Sequence, residues 1–116
     1  MAKIARLEAP QGKPHPGMEA YIFECPGCGM DHMIPVNYTD EYRKSCVAAG
    51  RSTPQWTFNG DLDKPTFGPS LLVTWDYGDK ERKHNVCHSF VREGRIQFLS
   101  DCTHKMANMT VDLADV

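Results

Sequence analysis

Short runs of alternating apolar and polar residues recur along the chain, and this period of two predicts β-strands. An aromatic and β-branched run at 19–24 is followed, after a tight CPGCG turn, by a second run at 30–36, so the two are expected to pair. Two further runs flank Glu93-Gly94, where the chain can turn tightly, and predict a hairpin. The predicted strands lie at 3–7, 19–24, 30–36, 71–77, 85–91 and 96–102.

The segment 38–50 is the best helix candidate. Thr39 can cap its first turn, acidic residues follow at 40 and 41, and Gly50 can end it. The whole pattern predicts a mainly β or small α+β domain of short antiparallel strands and hairpins with one short helix. The 116 residues are expected to form a single domain, with a strand and a Pro/Gly-rich loop at 1–17 and a loose tail at 111–116.

The charge pattern limits the partners that this chain can have. The formal net charge is −2, and the basic residues are scattered apart from a short KERK run at 80–83, which we interpret as a solvated turn. Because nucleic-acid binding needs a concentrated cationic surface, we expect no nucleic-acid partner. No stretch approaches the ~18 apolar residues that span a bilayer, and the first residues lack the pattern of a secretion signal. We therefore expect no membrane association and a cytoplasmic location.

Five cysteines cannot all pair within one chain, and their clustering favours metal binding or thiol chemistry. Cys25 and Cys28 form a CxxC pair on a Pro-Gly turn, a spacing at which two thiolates grip one tetrahedral zinc ion. A redox dithiol has the same spacing, but it is expected between a strand and a helix, whereas a strand-like run follows here. The pair is interpreted as half of a structural zinc site, and Cys46 as a buried residue of the helix.

The turn at Glu93 and Gly94 locates further ligands. With these two residues at the turn, Cys87 and Cys102 become diagonal neighbours on one face of the hairpin, roughly 7–8 Å apart at the backbone. Both thiolates could then reach one ion, and the predicted zinc ligands are Cys25, Cys28, Cys87 and Cys102. Two alternatives stay open: ordinary buried thiols at 87 and 102, or a mixed set that includes His32, His88 or His104.

The opposite face of the same hairpin brings together His88 and Asp101, again as diagonal neighbours. A carboxylate beside an imidazole fixes its tautomer and supports it as a general base. Ser70 is the candidate nucleophile, because it follows a rigid Gly-Pro turn and precedes a strand. His104 is a second candidate base or an oxyanion donor, and Asn59 is another candidate oxyanion donor. The alternative is a structural hydrogen bond between the histidine and the aspartate, with the serine as a turn residue.

Four segments of the chain together resemble a known family. They are WTFNGD at 56–61, PTFGPS at 65–70, CHSF at 87–90 and GRIQFLSDCTH at 94–104, and they are specific as an ordered set. The chain resembles a small domain family of unknown function, frequent in bacteriophages and bacteria, over the range from about Cys25 to Thr110. One branch of that family is similar to the BubE-type peptidases of bacterial ubiquitin-like (Bub) operons. The chain departs from the pattern near Asn108, where a glycine is expected.

The resemblance implies a zinc-containing, serine-type peptidase that acts on a protein or peptide substrate such as a ubiquitin-like tail. It implies Ser70 as nucleophile, His88 or His104 as base and Asp101 as the orienting carboxylate. It also implies the cytoplasm of a bacterial host cell, with a phage or prophage as one source of the gene. A catalytic zinc would instead need an open coordination position. The alternative function is a non-catalytic, zinc-ribbon-like protein-binding module of phage origin, whose contact surface would be Trp56, Phe58, Phe67 and Trp75.

Overall fold

The computed structural model of the chain describes residues 2–77 and 83–116, and within them the fold is mainly β with one α-helix. The expectation of short antiparallel strands and hairpins is confirmed. The elements are β1 Ala5–Arg6, β2 Glu8–Ala9, β3 Lys13–Pro14, β4 Met18–Glu24, β5 Asp31–Tyr38, α1 Asp40–Ala48, β6 Thr57–Phe58, β7 Phe67–Gly68, β8 Leu71–Tyr77, β9 Lys83–Arg92, β10 Arg95–Phe98 and β11 Thr110–Asp112. Two-stranded pairs join β2 to β3 and β6 to β7.

The first larger sheet has the order β1-β4-β5, and its strands are antiparallel. Its hairpin β4–β5 pairs Phe23 with His32 and carries the CPGCG turn at its tip. The turn is closed by hydrogen bonds from Cys25 N to Met30 O and from Gly29 N to Cys25 O, both at 2.9 Å. Two cysteines and a histidine are therefore held at one end of this sheet.

The second larger sheet has the order β11-β10-β9-β8 and is also antiparallel. The hairpin β9–β10 turns at Glu93 and Gly94, whose φ angles of 50° and 77° both lie in the left-handed region that a type I′ turn requires. Arg92 pairs with Arg95, so the predicted register of this hairpin is confirmed.

The hairpin departs from its predicted length at the end of β10. The strand expected at 96–102 ends at Phe98, and a turn follows in which Cys102 N donates to Leu99 O at 3.2 Å. The chain then rejoins β9 later than a continuous hairpin would, with Thr103 N donating to Val86 O at 2.9 Å. This part of the chain therefore approaches β9 as a turn and not as a strand.

The C-terminal residues pack against the rest of the domain, in contrast to the loose tail expected at 111–116. β11 pairs with β10, and Leu113 is buried, with its N–H bonded to Gly94 O at 3.0 Å. Val116 N donates to Ala2 O at 2.9 Å, which joins the two ends of the chain. Burial of one leucine beside the hairpin turn offsets part of the entropy lost in ordering this segment.

The two larger sheets share one hydrophobic core. Its most buried large side chains come from both halves of the chain and are Ile4, Phe23, Ile34, Val91, Ile96, Phe98 and Leu113. The four aromatic residues considered as a contact surface also belong to this core. Phe67 is buried in it, and three others are partly buried against it: Trp56, Phe58 and Trp75. These aromatic side chains therefore stabilise the fold.

Helix α1 begins and ends as the sequence predicts. Thr39 Oγ1 accepts a hydrogen bond from Tyr42 N at 3.2 Å at its first turn. Gly50, with a φ of 74°, follows its end, and Cys46 is the buried residue on its inner face.

Two expectations about partners concern the surface. The KERK run at 80–83 falls, except for its last position, outside the described residues, so its interpretation as a turn stays a prediction. Among the described residues, no helix has the length and apolar character needed to cross a membrane.

Candidate functional site

A serine, a histidine and an aspartate form a continuous chain of hydrogen bonds on the second larger sheet. Ser70 Oγ lies 2.9 Å from His88 Nε2. His88 Nδ1 lies 3.0 Å from Asp101 Oδ2 and 3.3 Å from Asp101 Oδ1. These are the three residues that the sequence predicts as nucleophile, base and orienting carboxylate, and their order and spacing are those of a Ser-His-Asp triad.

Different elements around β9 position the three side chains. His88 lies in β9 and pairs across the sheet with Leu72 of β8, so Ser70, two residues before Leu72, falls on the same face. Asp101 comes from the turn after β10, in which Leu99 N donates to His88 O at 2.9 Å. Strand alternation thus supplies the serine and the histidine, and the turn supplies the carboxylate.

The hydrogen-bond partners of His88 define its tautomer. An ionised carboxylate can only accept hydrogen bonds. Nδ1 of the neutral ring is therefore assigned the proton, and its N–H donates a hydrogen bond to Asp101. Nε2 is then the acceptor for the hydroxyl proton of Ser70. In this tautomer the ring can receive the serine proton, which is the first requirement for nucleophilic catalysis.

The triad lies at an open surface. The side chains of His88 and Asp101 are 26% and 54% exposed, and Ser70 is half-buried. Solvent screening at the carboxylate weakens the attraction between Asp101 and a protonated His88. The main contribution of Asp101 to the site is therefore orientation of the ring.

A tryptophan supports the serine from behind. Trp56 Nε1 donates to Ser70 O at 3.2 Å, and Trp56 N donates to Pro35 O at 2.9 Å. This contact links the segment that carries Ser70 to the first larger sheet. The hydrogen bond from Trp56 to Ser70 was not predicted, because no local sequence pattern indicates a contact between residues 14 positions apart.

The side chain of Asn59, a candidate oxyanion donor, makes hydrogen bonds within its own turn. Its Nδ2 donates to Lys64 O at 2.9 Å, and its Oδ1 accepts from Asp61 N and Thr66 N, both at 3.1 Å. The side chain thus shapes the loop before β7 and is not directed to Ser70.

A second constellation lies between the CPGCG turn and β9. Cys25, Cys28, His32 and Cys87 offer ligand atoms that all lie within 4.8 Å of one another. The sulfurs of Cys25 and Cys87 are 3.8 Å apart, and Cys28 Sγ is 3.3 Å from His32 Nε2. Tetrahedral zinc, with bonds of ~2.3 Å to sulfur and ~2.0 Å to nitrogen, sets neighbouring ligand atoms roughly 3.5–3.8 Å apart. The group could therefore hold a metal ion.

The fourth member of this group differs from the four-cysteine expectation. His32 occupies the place predicted for Cys102, in accord with the mixed ligand set that the sequence left open. Cys102 belongs to a second group with Cys87 and His104. Its Sγ accepts the N–H of His88 at 3.2 Å and its thiol donates to His88 O at 3.1 Å. Cys102 is thus bonded to the backbone of the triad histidine.

His104 lies with the cysteines and outside the triad. Its Nδ1 accepts a hydrogen bond from Met106 N at 3.2 Å, and its ring packs edge-on against Phe98. Its Nε2 is buried, with no hydrogen-bond partner among the described residues. The first group offers four donors, against three in the group of Cys87, Cys102 and His104, and this favours His32 over His104 as a ligand.

The pKa values of the cysteines in the metal group are shifted in different directions. The hydrogen bond between Cys25 and Cys87 lowers the pKa of Cys25 and raises the pKa of Cys87. Burial raises the pKa of Cys28. Since the thiolate is the metal-binding form, binding of a cation would release protons from the cysteines that carry them.

The triad and the metal group are neighbours along the chain. Cys87, a member of the metal group, directly precedes His88. Cys102, which is hydrogen-bonded to the His88 backbone, directly follows Asp101. Side chains of successive strand residues point to opposite faces, so Cys87 is buried beneath the sheet while His88 lies on its outer surface. The position of the catalytic candidates thus depends on the buried cysteines.

Comparison with known families identifies the chain. A family model described as bacterial ubiquitination-like system serine protease (BubE) matches residues 5–99. Because the match spans most of the chain, the protein belongs to this family, which confirms the resemblance drawn from the sequence. The matched range includes Ser70 and His88 and ends before Asp101. No curated protein and no solved structure matches the chain significantly.

The position at which the chain departs from the family pattern has an unusual backbone conformation. Asn108, near which a glycine is expected, has a φ of 67°. Glycine adopts this left-handed conformation freely, and asparagine tolerates it better than most other residues. Asparagine at this position is therefore compatible with the left-handed backbone conformation.

Proposed function

We propose that this protein is a serine protease in which Ser70 is the nucleophile, His88 the general base and Asp101 the residue that orients the base. The observation that carries the proposal is the unbroken chain of hydrogen bonds from Ser70 Oγ through the imidazole to Asp101. Membership of a family described as serine proteases supports the same class of reaction. His104 is not assigned a role as base, because it lies among the cysteines.

The geometry supports acyl transfer in two steps. Ser70 Oγ attacks the carbonyl carbon of a peptide bond while His88 Nε2 takes the hydroxyl proton, and Asp101 stabilises the resulting imidazolium. Collapse of the tetrahedral intermediate breaks the C–N bond, and His88 returns the proton to the leaving amine. A water molecule, deprotonated by His88, then hydrolyses the serine ester and restores the hydroxyl.

The metal in this proposal is a structural zinc ion held by Cys25, Cys28, His32 and Cys87. A sulfur-rich set of four donors, three of them buried and Cys28 partly buried, is the kind of set that structural zinc prefers. Four protein ligands fill a tetrahedron, so no position is open for an activated water. When bound, the ion would supply coordination bonds between the β4–β5 turn and β9.

The substrate in this proposal is a protein with a ubiquitin-like tail. The support is the family description, which places these serine proteases in a bacterial ubiquitination-like system. The reaction would take place in a bacterial cytoplasm, encoded by the bacterium or by a phage.

The test of the reaction class is covalent labelling of the serine. Purified, metal-loaded protein is treated with an alkyl fluorophosphonate and its intact mass is measured, beside Ser70→Ala and Ser45→Ala variants. Ser45 is an exposed serine of α1 and serves as the matched control. We expect one adduct on the wild type and on Ser45→Ala, and none on Ser70→Ala.

The negative result is equally specific. A folded, metal-loaded wild type that acquires no adduct would contradict an activated Ser70 and favour the protein-binding module. An adduct that persists in Ser70→Ala would move the nucleophile to another residue.

A further inference from the structure

The strand that follows Ser70 lies at the edge of its sheet. In the order β11-β10-β9-β8, strand β8 pairs with β9 alone within residues 2–77 and 83–116. Ser70 immediately precedes this strand. The candidate nucleophile therefore lies at the start of a strand edge that none of the described strands covers on its other side.

The hydrogen bonds of β9 show how the backbone groups of β8 are directed. The N–H and C=O of His88 are bonded to Cys102 Sγ and to Leu99 N, on the side of β9 away from β8. The N–H and C=O of Val86 are bonded to Thr103 on the same side. Because successive residues of a strand direct these groups to opposite sides, the residues at 85, 87 and 89 face β8.

The free edge of β8 follows from this alternation. Leu71 and Val73 lie opposite residues 89 and 87, so their N–H and C=O are used in the ladder with β9. Leu72 and Thr74 alternate with them and direct their N–H and C=O away from β9. Two residues of a strand span about 6.6–6.8 Å, which is the repeat of an incoming antiparallel strand.

At its beginning the edge is closed by a tryptophan and flanked by an apolar side chain. Ser70 alternates in step with Leu72 and Thr74, and its C=O is already bonded to Trp56 Nε1 at 3.2 Å. Leu72 is 58% exposed and pairs with His88, so it lies beside the triad on the outer face. The available edge thus starts two residues beyond the nucleophile.

We propose that the substrate binds as an additional β-strand along this edge, pairing with the backbone of Leu72 and Thr74 and placing an apolar side chain against Leu72. The proposal rests on the proposed protease function and adds the form of substrate that the site accepts: an extended polypeptide segment. A row of alternating N–H and C=O groups is matched by another extended chain, whereas a helix satisfies its own backbone. Pairing at this edge would bring the segment alongside Ser70.

Two probes that form the same bond at Ser70 separate strand binding from the chemistry of the triad. An alkyl fluorophosphonate bonds phosphorus to Ser70 Oγ as fluoride leaves and His88 takes the proton. A tetrapeptidyl diphenyl phosphonate with aliphatic residues forms the same O–P bond as phenoxide leaves, and it also presents a peptide backbone. The first probe reports the triad, and the second reports the triad together with the strand edge.

The test variant is Thr74→Pro and its control is Thr74→Ala. Proline removes the outward N–H, and it is tolerated on edge strands where that group faces solvent. Alanine shortens the same exposed side chain and keeps the N–H. We expect Thr74→Pro to react with the peptidyl probe about three- to tenfold more slowly than Thr74→Ala, the effect of one lost hydrogen bond. Both variants should react equally with the alkyl probe.

Two results would overturn the proposal in distinguishable ways. Equal reaction of both variants with the peptidyl probe, beside normal reaction with the alkyl probe, would reject strand binding and leave the protease function intact. Failure of the wild type to react with either probe would reject the protease function and this proposal together.

A second measurement uses the wild type and so does not depend on the folding of a variant. Peptidyl probes with one N-methyl group lose, in turn, each N–H that could donate to the C=O of Leu72 or Thr74. We expect slower labelling, about three- to tenfold, for methylation at alternating amides only. An effect that is absent or equal at every amide would overturn the proposal.

Discussion

His88 contacts the other two members of the triad and Cys102, and these contacts use different parts of the residue. Its side chain accepts the proton of Ser70 at one nitrogen and donates to Asp101 at the other. Its backbone is bonded to the thiol of Cys102 through both N–H and C=O. Loss of either Asp101 or Cys102 is therefore expected to act through the position and tautomer of His88, with separate signatures.

Asp101→Asn should slow alkyl fluorophosphonate labelling of Ser70 by about a hundredfold or more. An amide can donate to Nδ1 and so favour the tautomer that cannot accept the serine proton. The free energy of unfolding should barely change, because this side chain is 54% exposed. The control is Asp112→Asn, whose ion pair with Arg95 is also exposed. Labelling of Asp101→Asn at the wild-type rate would contradict the orienting role.

His32→Ala and Cys102→Ala should separate a metal ligand from a residue that positions His88. His32→Ala should lower the zinc content per chain, because it removes one of four clustered donors. Cys102→Ala should keep one zinc and label several-fold more slowly, and Cys102→Ser should recover part of that rate because its hydroxyl can bond to the same peptide. Elemental analysis and labelling rates measure both effects. Full zinc in His32→Ala with loss of zinc in Cys102→Ala would restore the four-cysteine set.

At the scale of elements, the hairpin register could be predicted because residues close together in the sequence determine it. Alternation and the Glu93-Gly94 turn predicted the β9–β10 register, and with it the shared face of His88 and Asp101. The pairing of β8 with β9, which places Ser70 on that face, came from the structure. The predicted strand pairing was wrong beyond Phe98, where a turn begins. This turn is closed by a hydrogen bond from Cys102 N to Leu99 O, which the pattern of apolar residues does not predict. Asp101 was still assigned to the face of the histidine, since the turn returns it to the place that a longer strand would have reached.

The place of His32 in the candidate metal group and the hydrogen bond from Trp56 to Ser70 could not be predicted from strand register either. His32 joins the cysteines through the pairing of β4 with β5, but whether its ring meets the sulfurs depends on packing against Phe23. Trp56 reaches Ser70 only because the two larger sheets are packed together. Contacts between elements distant in sequence are set by the whole core, and the sequence pattern of either element leaves them open.

The turn of the β9–β10 hairpin should be sensitive to a single methyl group. Gly94 has a φ of 77°, and a Cβ at this position would lie 3.1 Å from Asp63 O. Gly94→Ala is expected to lower the free energy of unfolding by about 1–2 kcal/mol, measured by chemical denaturation. Glu93→Asn should leave it unchanged or raise it slightly, since asparagine tolerates the φ of 50° at that position better than glutamate. Equal stability of Gly94→Ala and the wild type would contradict the strained-turn explanation.

At the scale of the molecule, the metal group lies where the two larger sheets meet. The tip of β4–β5 contributes three donors and β9 contributes the fourth. A chain of this length buries a modest core, so coordination bonds across that junction would add a substantial part of the stability. The same bonds would fix Cys87, and with it the strand position of His88 one residue later.

Removal of the metal should therefore lower stability and labelling together. When the free metal concentration is 100 times its Kd, binding contributes about 2.7 kcal/mol to the free energy of unfolding. For a domain of this size, losing that contribution corresponds to a fall in Tm of about 10 °C or more. The Tm of Ser70→Ala should fall on chelation by the same amount as that of the wild type, because the serine takes no part in coordination. Reloading with cadmium, which also accepts tetrahedral thiolate ligands, should restore both Tm and the labelling rate if the ion only holds the sheets together. Restored Tm without restored labelling would instead show that the ion takes part in the reaction, and labelling that survives chelation on an intact fold would show that the triad is positioned without it.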